Sequence, residues 1–206
     1  MSSMQLFLNA TSPYARFVRV LGLELGLEEQ IELIWVDPWQ NDPALLAVNP
    51  AAKIPTLRCA SGQCLSESLL IAQYLQQHPQ ATASAAAGSE QDLAWLGLGQ
   101  ALMDAAFQSV IHKKYHPEAV KSLLDQRRQA ALQRLLARLE QQVDQGKLAA
   151  SAPTSSLSAG QLSLFVGLDY LAFRCPELDW PTQAPQLAAW HQSLAQRTSL
   201  SSTAFH

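Results

Sequence analysis

Residues 49–68 read Asn-Pro-Ala-Ala-Lys-Ile-Pro-Thr-Leu-Arg-Cys-Ala-Ser-Gly-Gln-Cys-Leu-Ser-Glu-Ser, and they set a basic, an acidic and several hydroxyl side chains around a short apolar run. A proline is tolerated at the first residue of a strand because it has no N–H to give to the ladder, which suits Pro55. A cis Ile54–Pro55 bond would leave the N–H and C=O of Ile54 unpaired at a sheet edge, open to an extended peptide. Glu67 and Ser68 precede an apolar run long enough for a helix. The start of a helix offers free N–H groups and the positive end of its dipole, which suits a carboxylate. Ser68 adds a hydroxyl, and Glu67 can take an ammonium. A carboxylate and an ammonium on one carbon describe an amino-acid head group, so the stretch fits a small peptide with an amino-acid end. The competing reading is architectural: Ser66 caps the helix, Glu67 favours its first turn and Pro55 shapes a turn.

The elements that must position these residues follow from pattern. Residues 5–8 form a short strand; Asn-Ala-Thr-Ser-Pro follows, with Ser12 at an N-cap and Pro13 at the first helical position. Val18, Leu21, Gly22 and Leu25 recur at helical spacing, and Gly26 closes that helix. Residues 31–36 form a second strand, broken by Asp-Pro-Trp at 37–39, and residues 42–48 a short helix. Thr56-Leu57 and Cys64-Leu65 pair across a turn at 60–63 as a hairpin, before the helix that follows Ser68. The first eighty or so residues therefore run β-α-β-α-β-β-α.

Residues 78–89 have no apolar periodicity beyond alanine and read as a linker. Beyond them only helices are expected. The first spans residues 90–114 with Leu93, Trp95, Leu96, Leu98, Leu102 and Phe107 on several faces, so it is covered on more than one side. Pro117 starts the next, with Leu124, Leu132, Leu135, Leu139 and Val143 inward and Gly146 at its end. Residues 149–157 form a loop. Ser158 and Gln161 fit a capping box ahead of a helix, 162–173, apolar nearly all round and central to the second unit. A last helix covers 185–196, and residues from Ser199 onward read as a loose tail.

A net charge of −3 with 15% charged residues argues against a nucleic-acid footprint, which needs a clustered basic face. No apolar run approaches the roughly 20 residues of a membrane span. The N-terminus lacks the basic and apolar regions of a signal peptide, so the expectation is a cytoplasmic protein. Three cysteines suggest no disulfide framework. Cys59 and Cys64 flank the hairpin turn and are expected as thiols in a reducing compartment. No metal is expected.

Asn-Pro-x-x-Lys-Ile-Pro followed by Glu-Ser resembles the glutathione site of cytosolic glutathione transferases, with Pro55 in the place of that family's cis-proline. The resemblance covers essentially the whole chain and is closest to small bacterial, serine-type transferases carrying Thr-Ser-Pro-(Phe/Tyr) after the first strand. It implies an α/β thioredoxin-like N-terminal domain followed by an all-α C-terminal domain. The expected boundaries are a glutathione-binding domain at 1–78, a linker at 79–89 and a helical domain at 90–206. The family's central helix begins with a Ser/Thr-x-x-Asp box; here Gln161 replaces the acid.

The resemblance also implies chemistry. A free thiol has a pKa near 8.5, so little of it is thiolate at neutral pH. Ser12 would donate a hydrogen bond to the thiolate of glutathione, with Thr11 and Tyr14 as neighbouring hydroxyls. Ile54 and Pro55 would pair with the cysteinyl unit, Glu67 and Ser68 would hold the γ-glutamyl head, and Lys53 would reach a carboxylate. Met103, Phe107 and Tyr115 are candidates for the pocket of a small hydrophobic electrophile. A serine at position 12 suits conjugation, or a peroxidase reaction by direct attack of the thiolate, but not a mixed-disulfide reductase. A non-catalytic adaptor on the same fold is the other reading. A homodimer is implied, covering the many-faced helix after Glu90.

Overall fold

The computed structural model describes residues 3–82, 88–115, 122–149 and 155–206. A four-stranded mixed sheet has the order β2-β1-β3-β4, with β1 at Met4–Leu8, β2 at Ile31–Trp35, β3 at Thr56–Arg58 and β4 at Cys64–Ser66. β1 and β2 are parallel, joined through α1 (Pro13–Glu24); β3 is antiparallel to both β1 and β4. The pleat sorts β1 by period two. Met4, Leu6 and Leu8 face the main core with α1 and α3 (Ser68–Gln76). Phe7 faces the other way, into a small cluster with Val36 and Leu45 of α2 (Pro43–Leu46), against which Ile54 packs. The covered back of the sheet thus seats the loop that carries Ile54 and Pro55.

The helical half comprises α4 (Glu90–Tyr115), α5 (Leu123–Asp144), α6 (Ala159–Arg174), α7 (Trp180–Gln183), α8 (Pro185–Leu194) and α9 (Thr198–Ser201). α6 is central, and both hydrogen bonds of its capping box are present, Ser158 with Gln161. Glutamine therefore serves in the box without a charge. α4 and α6 run parallel in close contact: Gly160 N donates to Asp92 Oδ1 at 2.8 Å, and Ser163 Oγ donates to the Leu96 carbonyl. Two glycines permit this approach. A Cβ on Gly99 would lie 2.5 Å from the Ser163 backbone carbon, and one on Gly160 would lie 2.5 Å from Asp92 Oδ1.

Several sequence expectations change. The inner face of α5 uses Leu132, Leu136 and Leu139, whereas Leu124 is 63% exposed. The residues after Ser199 are not loose: α9 buries Leu200, and Phe205 stacks on Phe173 at 5.3 Å. Ser66 is not the cap of α3, because Glu67 occupies that position and Ser68 is the first helical residue. The short α7 had no sequence signal beyond Pro181. The expected helix start at Pro117, and parts of the expected linker and of the 149–157 loop, lie outside the described residues. Cys59 is buried and Cys64 exposed, both as free thiols, with Arg58 and not Cys59 opposite Cys64 in the register.

Candidate functional site

A cavity of about 560 Å³ lies between the sheet end and the helical half, and Thr11, Ser12, Lys53, Ile54, Pro55, Glu67, Ser68 and Phe107 all line it. Residues far apart in the chain are thus gathered on one wall. The Asn49–Thr56 loop is held by its own polar side chains. The Asn49 amide donates to the Lys53 carbonyl at 3.1 Å and to Thr56 Oγ1 at 2.9 Å, while its Oδ1 accepts from Ala51 N. The Ile54–Pro55 bond is cis. The backbone N–H and C=O of Ile54 have no partner among the described residues.

At the start of α3, Glu67 sits at φ 70° and makes no side-chain cap bond. Its carbonyl accepts from Leu70 N and Ile71 N, so the N–H groups of Ser68 and Leu69 have no partner among the described residues. Unpaired amides at the positive end of a helix suit an anion. Lys53 Nζ stands 3.7 Å from Glu67 Oε1, both side chains well exposed. The wall therefore offers a cation, the open backbone of Ile54, an acid and, among the described residues, two unpaired amides.

Ser12 caps α1. Its Oγ accepts from Ala15 N at 3.2 Å, and its own hydroxyl proton remains available to donate. The amides of Thr11 and Ser12 are taken by Asn9 Oδ1, at 3.1 and 2.8 Å. Arg16 N donates to the Ser12 carbonyl, and Pro13 has no N–H, so Tyr14 N is the amide without a partner among the described residues here. The Tyr14 hydroxyl donates to Asp104 at 2.7 Å. Burial, reinforced by that bond and the charge of Asp104, pushes the phenol far above its ordinary range and keeps it protonated. Capping and donation to an anion are thus compatible at Ser12, while the Tyr14 hydroxyl is committed elsewhere.

The opposite wall departs from the expected electrophile residues. Met103 is fully buried in the core and does not line the cavity. Tyr115 is half exposed and sits beside the lining residue Trp39, ring centroids 6.0 Å apart. The α4 residues that do line it are Gln100, Asp104, Phe107, Ile111 and Lys114, joined by Tyr170 and Arg174 of α6. Their alternating spacing of four and three marks one helical face. That pattern is present in the sequence, but the apolar residues on every side of α4 hide it.

Models of the glutathione S-transferase N-terminal and C-terminal domains match residues 11–78 and 122–193. A glutathione transferase family member from Pseudomonas fluorescens, crystallised with bound glutathione, is 31% identical, with 99% of this chain and 100% of that one covered and a TM-score of 0.85. The chain belongs to the glutathione S-transferase family. A second transferase, from Methylobacillus flagellatus with glutathione bound, is 27% identical over 99% of this chain and all of that one, with a TM-score of 0.83. An uncharacterized GST-like protein of Escherichia coli, YibF, is 29% identical, covering 97% of this chain and 98% of its own. The family's thioredoxin-like half supplies the cis-proline loop and both helix starts of the cavity, and its helical half supplies the α4 and α6 wall.

Proposed function

We propose that this transferase binds reduced glutathione along the Ile54 edge and conjugates its thiolate to a small electrophile held against α4 and α6. The observation that carries the reading is the convergence of Ser12, the free Ile54 backbone and the unpaired start of α3 on one cavity. Ile54 pairs with the cysteinyl unit, the Ser68 and Leu69 amides take the γ-glutamyl carboxylate, Glu67 faces its ammonium and Lys53 meets the glycyl carboxylate. The Ser12 hydroxyl donates to the thiolate. One such charge-assisted bond is worth about 1.5–3 kcal/mol, which equals about one to two pKa units. Glutathione-bound relatives of similar length support the first half of this reading.

The conjugation step is tested with reduced glutathione and a benzyl halide. Calorimetry should show one glutathione per chain, and thioether should accumulate in proportion to enzyme. No heat at millimolar glutathione refutes the binding assignment. Binding without thioether formation from several electrophiles would leave the adaptor reading. We also propose a two-fold dimer, because Leu69 and Leu70 of α3 and Leu93 of α4 are exposed apolar side chains on the elements that flank the site. Sedimentation near the 22.5 kDa of one chain at micromolar concentration would exclude it.

A further inference from the structure

The electrophile wall carries a charge pattern that a purely hydrophobic substrate does not need. Along α4 the lining runs from Gln100 and Asp104, through Phe107 and Ile111, to Lys114. Contacts between α4 and α6 keep a parallel register, from Asp92 with Gly160, through Leu102 with Gly167, to the Lys113–Glu177 ion pair. Arg174 therefore falls beside the last turns of α4, at the same end of the cavity as Lys114. That end lies about two turns, or roughly 10 Å, beyond Phe107 along the helix axis. Tyr14, two residues from Ser12, meets Phe107 edge-on at 5.8 Å, which puts the start of α1 level with the apolar middle of the wall.

Among the described residues neither Lys114 nor Arg174 has a carboxylate partner. The nearby acids among the described residues are engaged: Glu177 with Lys113, Asp104 with Tyr14 and Gln100, Glu67 with Lys53. Arg174 lies over the Phe173 ring at 4.2 Å, and its buried Nε has no partner among the described residues. Burying a guanidinium N–H without an acceptor is costly unless a ligand supplies one. Lys114 Nζ lies 5.7 and 5.2 Å from the Trp39 and Tyr115 ring centroids.

We infer that the electrophile is amphipathic: an aromatic or apolar body seated on Phe107 and Ile111, carrying a carboxylate or similar anion that meets Arg174 and Lys114. This rests on the proposed glutathione site, where the two carboxylates of glutathione are already assigned to α3 and Lys53. Among the described residues the far cations have no carboxylate, and the second substrate supplies a third anion.

The test compares two product analogues by calorimetry: S-benzylglutathione and S-(4-carboxybenzyl)glutathione. The wild type should bind the carboxylated conjugate about tenfold more tightly, as expected for one well-placed charge-assisted contact. That preference should disappear in Arg174→Gln/Lys114→Gln, and should shrink with added salt for the exposed Lys114 share. The affinity of reduced glutathione reports whether the variant is folded, and if it is not, the wild-type comparison decides alone. Equal or weaker binding of the carboxylated conjugate to the wild type overturns the inference and leaves the glutathione site standing, as does a preference that survives in the double variant. Failure of both conjugates while reduced glutathione binds overturns this inference alone, and failure of reduced glutathione as well overturns the glutathione site with it.

Discussion

On the proposed reading Ser12→Ala removes two interactions at once, and their sizes allow them to be separated. The capping bond to Ala15 N is 3.2 Å long, and losing an N-cap costs about 1 kcal/mol. For a chain of this size that lowers Tm by about 2–4 °C. The second loss falls on the bound thiol. If the hydroxyl lowers its pKa from about 8.5 to about 7, the alanine variant cuts the thiolate population at pH 7 roughly fifteenfold. The rate falls less, because a more basic thiolate is a better nucleophile, with a Brønsted slope of about 0.4–0.5. The two effects leave a net loss of only about three- to fourfold at pH 7. The rate alone is therefore a poor witness.

The thiolate titration is the decisive readout, followed by ultraviolet absorbance of bound glutathione between pH 5 and 10. Its midpoint should rise by about one to two units in Ser12→Ala. Ser12→Asp keeps an N-cap acceptor, so stability should match the wild type, while its charge should raise the midpoint further and suppress conjugation more strongly. An unmoved midpoint in Ser12→Ala refutes the assignment to the hydroxyl. The two groups then left on the cavity wall are the Thr11 hydroxyl and the Tyr14 amide.

Three further outcomes follow from the geometry. Glu67→Ala should weaken glutathione binding more than Lys53→Ala, because it strands an ammonium beside the positive end of α3; neither should change Tm by more than about a degree, since the pair is exposed. Equal losses in calorimetry would show the head group misplaced. Gly160→Ala should destabilise by about 3 kcal/mol or more in urea unfolding, because its Cβ meets Asp92 Oδ1 and, at 2.8 Å, Trp95 Cβ; a loss under about 1 kcal/mol would mean the helices separate easily. Burial works to raise the Asp169 pKa, but His191 and Arg16 outweigh it and hold it below the ordinary range. A carboxylate lowered on folding stabilises above its unfolded pKa of about 3.9 and loses that contribution as pH falls through the folded value. Asp169→Asn should therefore cost about 3 kcal/mol near pH 7 by leaving Arg16 buried and unpaired, and should flatten the stability profile below about pH 4. An unchanged acid limb would assign that limb to other groups.

Much of the thioredoxin-like half was legible because its signals are local. Ser12-Pro13, the residues of the 60–63 turn and Gly26 each dictate backbone by their own chemistry, and the observed elements follow them closely. The wall made by α4 was not legible. Gln100, Asp104, Phe107, Ile111 and Lys114 share one face, but Trp95, Leu102 and Ala106 fill others, so periodicity could not say which face is open. Met103 is an adaptable apolar side chain that suits a pocket and a core equally, and it lies in the core with no exposed surface. Arg174 had no signal at all until α6 packed in parallel on α4. The chain end misled differently. Thr198 to His206 has few apolar residues, but Leu200, Thr203 and Phe205 are spaced so that each meets α1 or α6.

Those last residues matter to the site through α1. Apolar packing against the sheet would tolerate a small rotation of this helix, and a turn of one residue would carry Ser12 away from the cavity. Polar contacts with the helical half oppose that rotation at three places along the helix. Tyr14 is tied to Asp104 near its start. Arg16, 4% exposed, donates to Asp169 at 2.6 Å, to the Leu200 carbonyl and to Thr203. At the far end Glu24 accepts from Arg197, Ser199 and Leu157 N. Burial alone would raise the Glu24 pKa, yet these donors hold it below its usual value, so it stays ionised and bonded near neutral pH. Each contact is directional, and breaking a buried charged pair costs several kcal/mol. The placement of α1, and with it Ser12 on the cavity wall, thus depends on α4, α6 and the chain end as well as on the half that carries it.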